Sequence, residues 1–364
     1  MNDRDAAIRG LYRMLRVCDL AGRLWNSVQW PDIPKPLQPG ISILIPERAN
    51  PALLSACLAN VNAACREVAE PCEVIVVASG SPPSLYSDLV QRHTGVRWIF
   101  SEAPLWFGGA IQLGLRAARH DWVYLLNNDM LLDPGALAAL LPWRAPHVFG
   151  IASQIYFQDS ERRREETGWT ICREIDGMVE ILDEVADDDV TVRGTFYAGG
   201  GASLFRRELL ARLAQNCSIY APFYWEDVEW GACAWRLGYE SLYCPTSKAW
   251  HGHRQTNRRF FSEPEIDRIL RRNRLIFHLR NGRCPESLEQ LRELLRQSDG
   301  DSLAEILRMR SIFKIAFGRL RNRSRWFRAI PLDSTWQRSY GSSLAVYAHD
   351  SDVFACRNQS PSGT

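Results

Sequence analysis

The chain lacks the features that mark several common protein classes. Its 364 residues include 44 basic and 42 acidic side chains, so a net charge of +2 offers no general attraction to nucleic acid. No uninterrupted apolar run reaches the roughly 20 residues of a membrane span, and charges interrupt the N-terminal stretch where a signal peptide needs an apolar block. The ten cysteines form no C-x-x-C pair, which favours reduced thiols over disulfides or a zinc site. We therefore expect a cytoplasmic protein without nucleic-acid partners.

Four segments are predicted from the distribution of apolar, charged and proline residues. Residues 1–39 combine a short amphipathic helix with a proline-rich linker, and residues 40–253 form the main globular domain. Residues 254–345 form a basic helical extension, and residues 346–364 form a flexible tail.

Apolar strand-like runs alternate with helical patterns in the first part of the globular domain. The runs at 41–46, 73–81, 96–100 and 121–126 are rich in Val, Ile, Leu and aromatic residues, and a helical pattern covers 108–120. This alternation predicts an α/β fold with a mixed, mostly parallel sheet flanked by helices. Ligands of such a sheet bind at the carboxyl ends of the strands, so polar residues there are candidate site residues.

The second part of the domain has a weaker pattern. Charge runs over 150–200 favour a solvated antiparallel insertion over a substrate site. Residues 194–210 predict a Gly-rich turn followed by the start of a helix, and residues 223–238 predict a helix that ends at Gly238.

Three polar clusters carry the candidate chemistry. Asp129 closes the strand 121–126 and suits a hard cation such as Mg²⁺ or Mn²⁺, although Asn and Asp are also common in turns. Asp227 lies in the acidic cluster 226–229, whose residues could equally act as partners of the helix dipole. His251 and His253 follow an apolar strand, which raises the odds of a metal or phosphate contact.

The order and spacing of these clusters resemble family 2 glycosyltransferases over roughly residues 40–280, in particular enzymes of bacterial cell-surface polysaccharide synthesis such as rhamnosyltransferases. Each matching motif is short, and the joint match over some 240 residues carries the resemblance. The motifs are Pro46-Glu47-Arg48-Ala49-Asn50, Leu126-Asn127-Asn128-Asp129, the Gly-rich Gly199-Gly200-Gly201 before Phe205-Arg206-Arg207, Glu226-Asp227-Val228-Glu229 and Ala249-Trp250-His251.

The resemblance implies a GT-A-type catalytic domain over 40–253 that transfers a sugar, with inversion, from a nucleoside-diphosphate sugar to a glycan or lipid-linked acceptor. It implies Mg²⁺ or Mn²⁺ held by Asp129 and His251, with Asp227 as the base and Glu226 beside it, expected to face the acceptor. Donor-binding positions are Pro46, Glu47, Arg48, Ala78, Gly109, Asn127 and Asn128, and acceptor-side positions are Gly200, Gly201 and Trp225.

Two departures from the family pattern motivate an alternative function. The family commonly has an Asp at the end of the second strand, where this chain has Ala78, and an Asn and a Gly are missing from the segment 104–114. A catalytically silent relative that binds a glycan or a partner enzyme is therefore the second hypothesis. A Rossmann dehydrogenase is disfavoured because no G-x-G-x-x-G follows the first strand.

The basic extension allows two further interpretations. Arginines alternate with apolar residues over 254–274 and again over 303–323, as in basic amphipathic helices that lie on anionic membranes. Helices that pack on the catalytic domain with solvated Arg faces would show the same pattern. The protein is accordingly expected in the cytoplasm, with attachment to the inner face of the membrane as one of the two alternatives.

Overall fold

The computed structural model describes residues 3–24, 37–157, 168–175, 178–252, 257–323 and 339–341. Most of the predicted proline-rich linker, His253 and the predicted tail 346–364 lie outside the described residues.

The first half of the chain alternates strands with helices, as the apolar runs predict. The elements are α1 (Asp3–Leu24), β1 (Gln38–Glu47), α2 (Pro51–Arg66), β2 (Cys72–Ser79), α3 (Ser87–Arg92), β3 (Val96–Ser101), α4 (Trp106–Ala117) and β4 (His120–Leu126). The four strands pair in parallel in the spatial order β3, β2, β1, β4. Their carboxyl ends therefore lie on the same side of the sheet.

The second half adds strands of both directions to this sheet. The elements are β5 (Met130–Leu132), α5 (Ala136–Leu140), β6 (Val148–Phe157), β7 (Thr170–Ile175), β8 (Met178–Asp183), β9 (Val192–Thr195), β10 (Ala202–Arg206), α6 (Arg207–Leu213), α7 (Glu226–Arg236) and β11 (Glu240–His251). Strand β10 lies between β4 and β6 and is antiparallel to both, whereas β11 runs parallel to β6. The fold is thus a mixed, mostly parallel sheet flanked by helices.

The structure corrects two predictions for this half. In the segment 194–210 a helix begins at Arg207 as expected, but the prediction missed the central strand β10. In the segment 150–200 the strands β7 and β8 form an antiparallel pair as expected, but the segment begins within the buried strand β6 and is therefore not wholly a solvated insertion. Both central strands are buried on both faces, so neither shows the alternation of a half-exposed strand.

The sheet is covered by apolar side chains on both faces. One core cluster joins α4 and α7 to the sheet, and the other joins α2 and α5 to its opposite face. Helix α4 lies close to β1 because Gly114 has no side chain: a Cβ there would stand 2.1 Å from Leu44 Cδ1. This packing holds the N-terminus of α4 near the end of β1.

The C-terminal helices pack on this domain. They are α8 (Glu263–Asn281), α9 (Leu288–Arg296), α10 (Gly300–Ile306) and α11 (Met309–Asn322), followed by the short strand β12 (Ser339–Gly341) beside β9. The single helix predicted for 303–323 is wrong, because the extended backbone of Arg308 separates α10 from α11. Helix α1 packs against α11 and α9.

Several arginines of this region are buried rather than solvated. Arg319 is fully buried, and its Nε lies 2.6 Å from Asp19 Oδ1 of α1. Arg280 is also buried and pairs with Glu229 of α7. Some arginines of the sequence are therefore buried, and their ion pairs connect α1 and α7 to the C-terminal helices.

Within the described part of the chain, none of the helices combines the length and the apolar character needed to cross a bilayer. The nine cysteines that the structure describes are free thiols.

Candidate active site

A cleft of about 440 Å³ opens where β1 and β4 end. Its walls come from the turns after these strands, the Gly-rich turn before β10, the start of α7 and the end of β11. The structure thus brings together, from five separate segments, most of the residues singled out in the sequence: Pro46, Glu47, Arg48, Asn127, Asn128, Asp129, Gly200, Gly201, Trp225, Glu226, Asp227 and His251.

Two of the expected donor-binding residues do not line this cleft. Ala78 is fully buried in a core cluster, and the next residue, Ser79, reaches the cleft instead. Successive side chains of a strand point to opposite faces, so the two cannot share one surface. Gly109 lies on α4 between cleft-lining neighbours, and a Cβ added there would meet Leu105 rather than the cleft.

Asp129 and His251 are brought together by strand pairing. Asp129 directly precedes β5, which pairs antiparallel with the end of β11, so that Met130 stands opposite His251. His251 Nε2 lies 3.5 Å from Asp129 Oδ2, and both side chains are buried. Asp129 Oδ1 is buried and has no hydrogen-bond partner among the described residues.

This pair fits a hard divalent cation. Ligand atoms about 2.1 Å from one Mg²⁺ or Mn²⁺ ion can be up to about 4.2 Å apart, so the observed 3.5 Å permits both side chains to bind one ion. The unpartnered Oδ1 leaves a second carboxylate oxygen for the same ion. No cluster of three ligating side chains occurs within the described ranges, so such an ion would rely on phosphate oxygens and water for its other ligands.

Glu47 organises the turn after β1. Its Oε1 accepts hydrogen bonds from Asn50 N (2.6 Å) and Tyr86 Oη (3.1 Å), while Oε2 accepts from Asn128 Nδ2. Burial raises the pKa of Glu47, and these donors partly oppose that shift. Because the protein itself engages both oxygens, Glu47 connects the turn after β1 to Asn128 beside the cation pair.

Asp227 is partly exposed at the start of α7. Its Oδ2 accepts from Gly200 N at 3.0 Å, and its Oδ1 accepts from Val228 N at 2.9 Å. The sequence interpretation places the carboxylate of Asp227 toward the acceptor and not on the backbone of its own helix. For Oδ1 this is wrong, because Oδ1 accepts a hydrogen bond from Val228 N. Gly200 must lack a side chain here, since a Cβ would stand 2.6 Å from Phe107 Cζ. Two backbone N–H groups thus fix Asp227 in the cleft.

Glu226 lines the same cleft but differs from Asp227 in its environment. It is 1% exposed, and its Oε1 has no hydrogen-bond partner within the described residues. Burial raises its pKa well above the usual range, and the neighbouring Asp227 carboxylate adds to the rise. Burial therefore favours the protonated form of Glu226, in which the carboxyl can donate a hydrogen bond into the cleft.

Glu229 faces away from the cleft. It is fully buried, with Oε2 2.8 Å from Arg280 Nε and Oε1 3.1 Å from Arg321 Nη2, and Tyr220 donates a hydrogen bond to it. Burial opposes its ionisation, but the two arginines outweigh this effect and lower its pKa. Glu229 therefore joins α7 to α8 and α11 and is not a candidate base.

Sequence reasoning missed an aromatic wall of the cleft. Arg48 Cζ lies 4.9 Å from the Trp106 ring centre and 3.9 Å from that of Phe260, so the guanidinium stacks between the two rings. Strand β8 contributes Ile181 and Asp183, although its segment was interpreted as solvated. The aromatic pairs 106–107, 223–224 and 260–261 were visible in the sequence, but only the tertiary fold shows that they share one cleft.

Comparison with known proteins supports the resemblance to family 2 glycosyltransferases. The family model described as Glycosyl transferase family 2 matches residues 42–214. This match covers just under half of the chain and shows that residues 42–214 resemble family 2 glycosyltransferases. This range contains β1, the Asn-Asn-Asp sequence after β4 and the Gly-rich turn, whereas Asp227 and His251 lie beyond it. The GT-A fold expected from the resemblance is confirmed.

One solved structure shows the same fold at low sequence identity, and a second is similar with a lower TM-score. GalNAc-T7, determined with UDP, GalNAc and Mn²⁺, is 13% identical, with a TM-score of 0.51 over 75% of this chain and 55% of that one. The chain thus spans about half the length of that relative. The mannosyltransferase PcManGT from Pyrobaculum calidifontis, in complex with GDP-Man and Mn²⁺, is 18% identical with a TM-score of 0.46, covering 98% and 93% of the two chains. Comparison with curated protein sequences gives no match.

Proposed function

We propose that the chain is an inverting, metal-dependent glycosyltransferase that moves a sugar from a nucleoside-diphosphate sugar to a hydroxyl of its acceptor. The observation that carries this proposal is the joint placement of Asp129 and His251, which fit a cation, and of the anchored carboxylate Asp227 in one cleft, which also includes residues of the segment that matches the family 2 model. A transfer of this kind needs positive charge at the leaving group and a base at the nucleophile.

The residues of the cleft divide this work between them. Asp129 and His251 hold the cation, which when bound supplies positive charge that stabilises the departing diphosphate. Asp227 accepts the proton of the acceptor hydroxyl while that oxygen bonds to the anomeric carbon. The bond from this carbon to the phosphate oxygen breaks, and the nucleoside diphosphate leaves with the electron pair. A single displacement inverts the anomeric centre.

We assign Glu226 a different role in this scheme because its burial favours the protonated form. A protonated carboxyl donates one hydrogen bond and still accepts through its carbonyl oxygen. Glu226 therefore orients the acceptor hydroxyl beside Asp227 and does not take its proton. Ionising both neighbouring carboxyls would place two negative charges together in a buried site, which the burial of Glu226 disfavours.

The acceptor is proposed to be a glycan or lipid-linked intermediate of cell-surface polysaccharide synthesis. The cleft that contains Asp227 is also lined by the aromatic rings of Tyr197, Phe223, Tyr224, Trp225, Phe260 and Phe261. Such apolar walls with a few polar groups suit the faces of sugar rings or an apolar carrier. The donor nucleotide has to be found by trial, because at the end of β2 it is Ser79 and not an Asp that reaches the cleft. UDP with Mn²⁺ is the first probe, since GalNAc-T7 binds both.

We further propose that the enzyme works at the cytoplasmic face of an anionic membrane. Helix α11 exposes Met309, Phe313 and Phe317, which are four residues apart and lie on one side of the helix. Arg310 and Lys314 flank this stripe. Exposed aromatic side chains beside cationic ones favour the surface of a bilayer that contains anionic lipids.

The test of the main proposal is a thermal-shift screen followed by an assay of turnover. UDP, dTDP and GDP are each added with Mn²⁺ or with EDTA, and a nucleotide at 100 times its Kd should stabilise the protein by about 2.7 kcal/mol. Sugar nucleotides of the base that binds are then tested for Mn²⁺-dependent release of the nucleoside diphosphate. Binding without any release would instead support the second hypothesis, a catalytically silent relative. That hypothesis was suggested by Ala78, which replaces an Asp that is common in the family.

A further inference from the structure

The loop before α7 holds an unusual backbone conformation. Tyr224 and Trp225 are consecutive residues with φ values of 73° and 79°. Bulky residues rarely adopt this left-handed region, and they do so where the surrounding structure holds them. The next two residues are Glu226 and Asp227, so the conformation of this loop sets where both carboxyls point.

A buried amide of the C-terminal extension holds this loop. Asn273 of α8 is fully buried, and its Nδ2 donates to three loop carbonyls: Tyr220 O at 2.7 Å, Phe223 O at 3.0 Å and Tyr224 O at 3.0 Å. An amide nitrogen has two hydrogens, so one of them is shared between two acceptors. Three loop carbonyls of the segment 220–224 thus converge on one side chain.

Arg272 fixes the orientation of that amide. Its Nε and Nη2 lie 3.0 Å and 2.9 Å from Asn273 Oδ1, so Nδ2 is the atom that faces the loop. The same guanidinium donates to Ala221 O and forms an ion pair with Glu305 of α10. Arg272 and Asn273 therefore act as one unit that connects α8 and α10 to the loop.

We propose that Asn273 and Arg272 are positioning residues for sugar transfer, because they hold the loop 220–225 in the conformation that places Glu226 and Asp227 in the cleft. This inference rests on the proposed function. It makes the C-terminal extension part of the catalytic apparatus, although α8 lies outside the segment that matches the family 2 model. Asp129 directly precedes β5 and His251 ends β11, so the residues proposed to hold the cation are outside the loop 220–225, and donor binding should not depend on Asn273.

The test compares Asn273→Ala with Asn281→Ala. Asn281 is a matched control: it lies on the same helix, is 3% exposed, and its Nδ2 donates to Phe277 O at 3.1 Å. None of its hydrogen bonds reaches the loop 220–225. Arg272→Lys is the second variant, because it keeps the charge but loses the planar fork that serves Ala221 and Asn273.

Two measurements are made on each full-length variant. Hydrogen exchange of the amides in 220–228 reports whether the loop is held, without any requirement for activity. Steady-state kinetics, with the sugar nucleotide that the parent uses, separate kcat from the donor KM. We expect faster exchange in the loop and a fall in kcat of about 10²-fold for Asn273→Ala, with donor KM within about twofold of the parent. Arg272→Lys should show the same pattern more weakly, and Asn281→Ala should leave both readouts near the parent values.

Unchanged exchange in the loop of Asn273→Ala would overturn the inference, as would an equal fall in kcat for Asn281→Ala. If Asn273→Ala does not fold, Arg272→Lys decides by the same two readouts. A parent that turns over no sugar nucleotide would contradict the proposed function instead, and the exchange comparison would still decide whether Asn273 holds the loop.

Discussion

The substitution Asp227→Asn tests whether Asp227 is a catalytic base or a carboxylate with a purely structural role. The substitution keeps the size of the side chain and one acceptor oxygen, so one of the two hydrogen bonds, from Gly200 N or from Val228 N, survives. Loss of the other should lower the free energy of unfolding by about 1 kcal/mol, which corresponds to a few degrees in Tm. The variant should therefore remain folded in an assay at 25 °C.

The expected effect on transfer is much larger. Removal of a general base typically costs about 10²–10⁴ in rate, equivalent to about 2.7–5.4 kcal/mol of transition-state stabilisation. Donor affinity should stay near that of the parent, because Asp129 and His251 are untouched. Transfer is measured with the donor and acceptor verified for the parent, beside a melting curve and a nucleotide-binding curve. A variant that keeps more than about a tenth of the parent's rate would refute the assignment of Asp227 as the base.

Glu226→Gln is the control in the same turn. Glutamine resembles a protonated carboxyl, so we expect a rate between those of the parent and Asp227→Asn. The raised pKa also fixes the sign of a stability effect: unfolded Glu226 releases its proton above about pH 4.3, whereas the folded protein retains it. The parent's stability should therefore fall as pH rises from 4.3 towards the folded pKa, and Glu226→Gln should gain on the parent over that window. A constant difference in Tm from pH 4 to pH 8 would contradict a neutral Glu226.

Three further outcomes are expected. Asp129→Ala and His251→Ala should each weaken binding of the nucleoside diphosphate in Mn²⁺, measured by calorimetry; equal affinity of the parent in EDTA and Mn²⁺ would contradict a cation at this pair. Glu229→Gln leaves two buried arginines without their carboxylate and should lower the free energy of unfolding by about 3–5 kcal/mol in denaturant titrations, whereas a loss below about 1 kcal/mol would argue against that role. Phe313→Ser combined with Phe317→Ser should reduce sedimentation with vesicles that contain anionic lipid but not Tm, and unchanged sedimentation would exclude α11 as the contact.

Local sequence patterns predicted individual strands and the polar residues that follow them. The runs that became β1 and β4 are continuous apolar segments that end in polar residues, so both the strands and the polar groups at their ends were visible. The pairing of β5 with β11, which brings His251 to Asp129, is a contact between residues more than 100 positions apart. Only the family resemblance suggested that these two residues act together.

Other features depend on which way a residue faces in the tertiary structure. Strand β10 was hidden by its short length and by the glycines before it. Ala78 and Ser79 adjoin in sequence, yet only Ser79 reaches the cleft, because the register of β2 turns the other side chain into the core. Asn273 carried no recognisable signal, since an Asn within a basic helix is unremarkable until the loop that it binds is placed beside it.

The first turn of α7 shows how one short acidic sequence can hold three different carboxyl groups. Glu226 is buried beside the cleft, and its burial together with the neighbouring Asp227 raises its pKa and favours the protonated form. Glu229 is just as buried, but Arg280 and Arg321 keep it ionised. Asp227 lies between them on the partly exposed side of the turn, where two backbone N–H groups hold its oxygens. An active site can give neighbouring carboxyl groups the roles of acid and base by placing them in environments that favour different charge states. These differences support the proposal that Asp227 is the base: burial favours the protonated form of Glu226, Glu229 is paired with two arginines, and Asp227 is the carboxylate that lines the partly exposed side of the cleft.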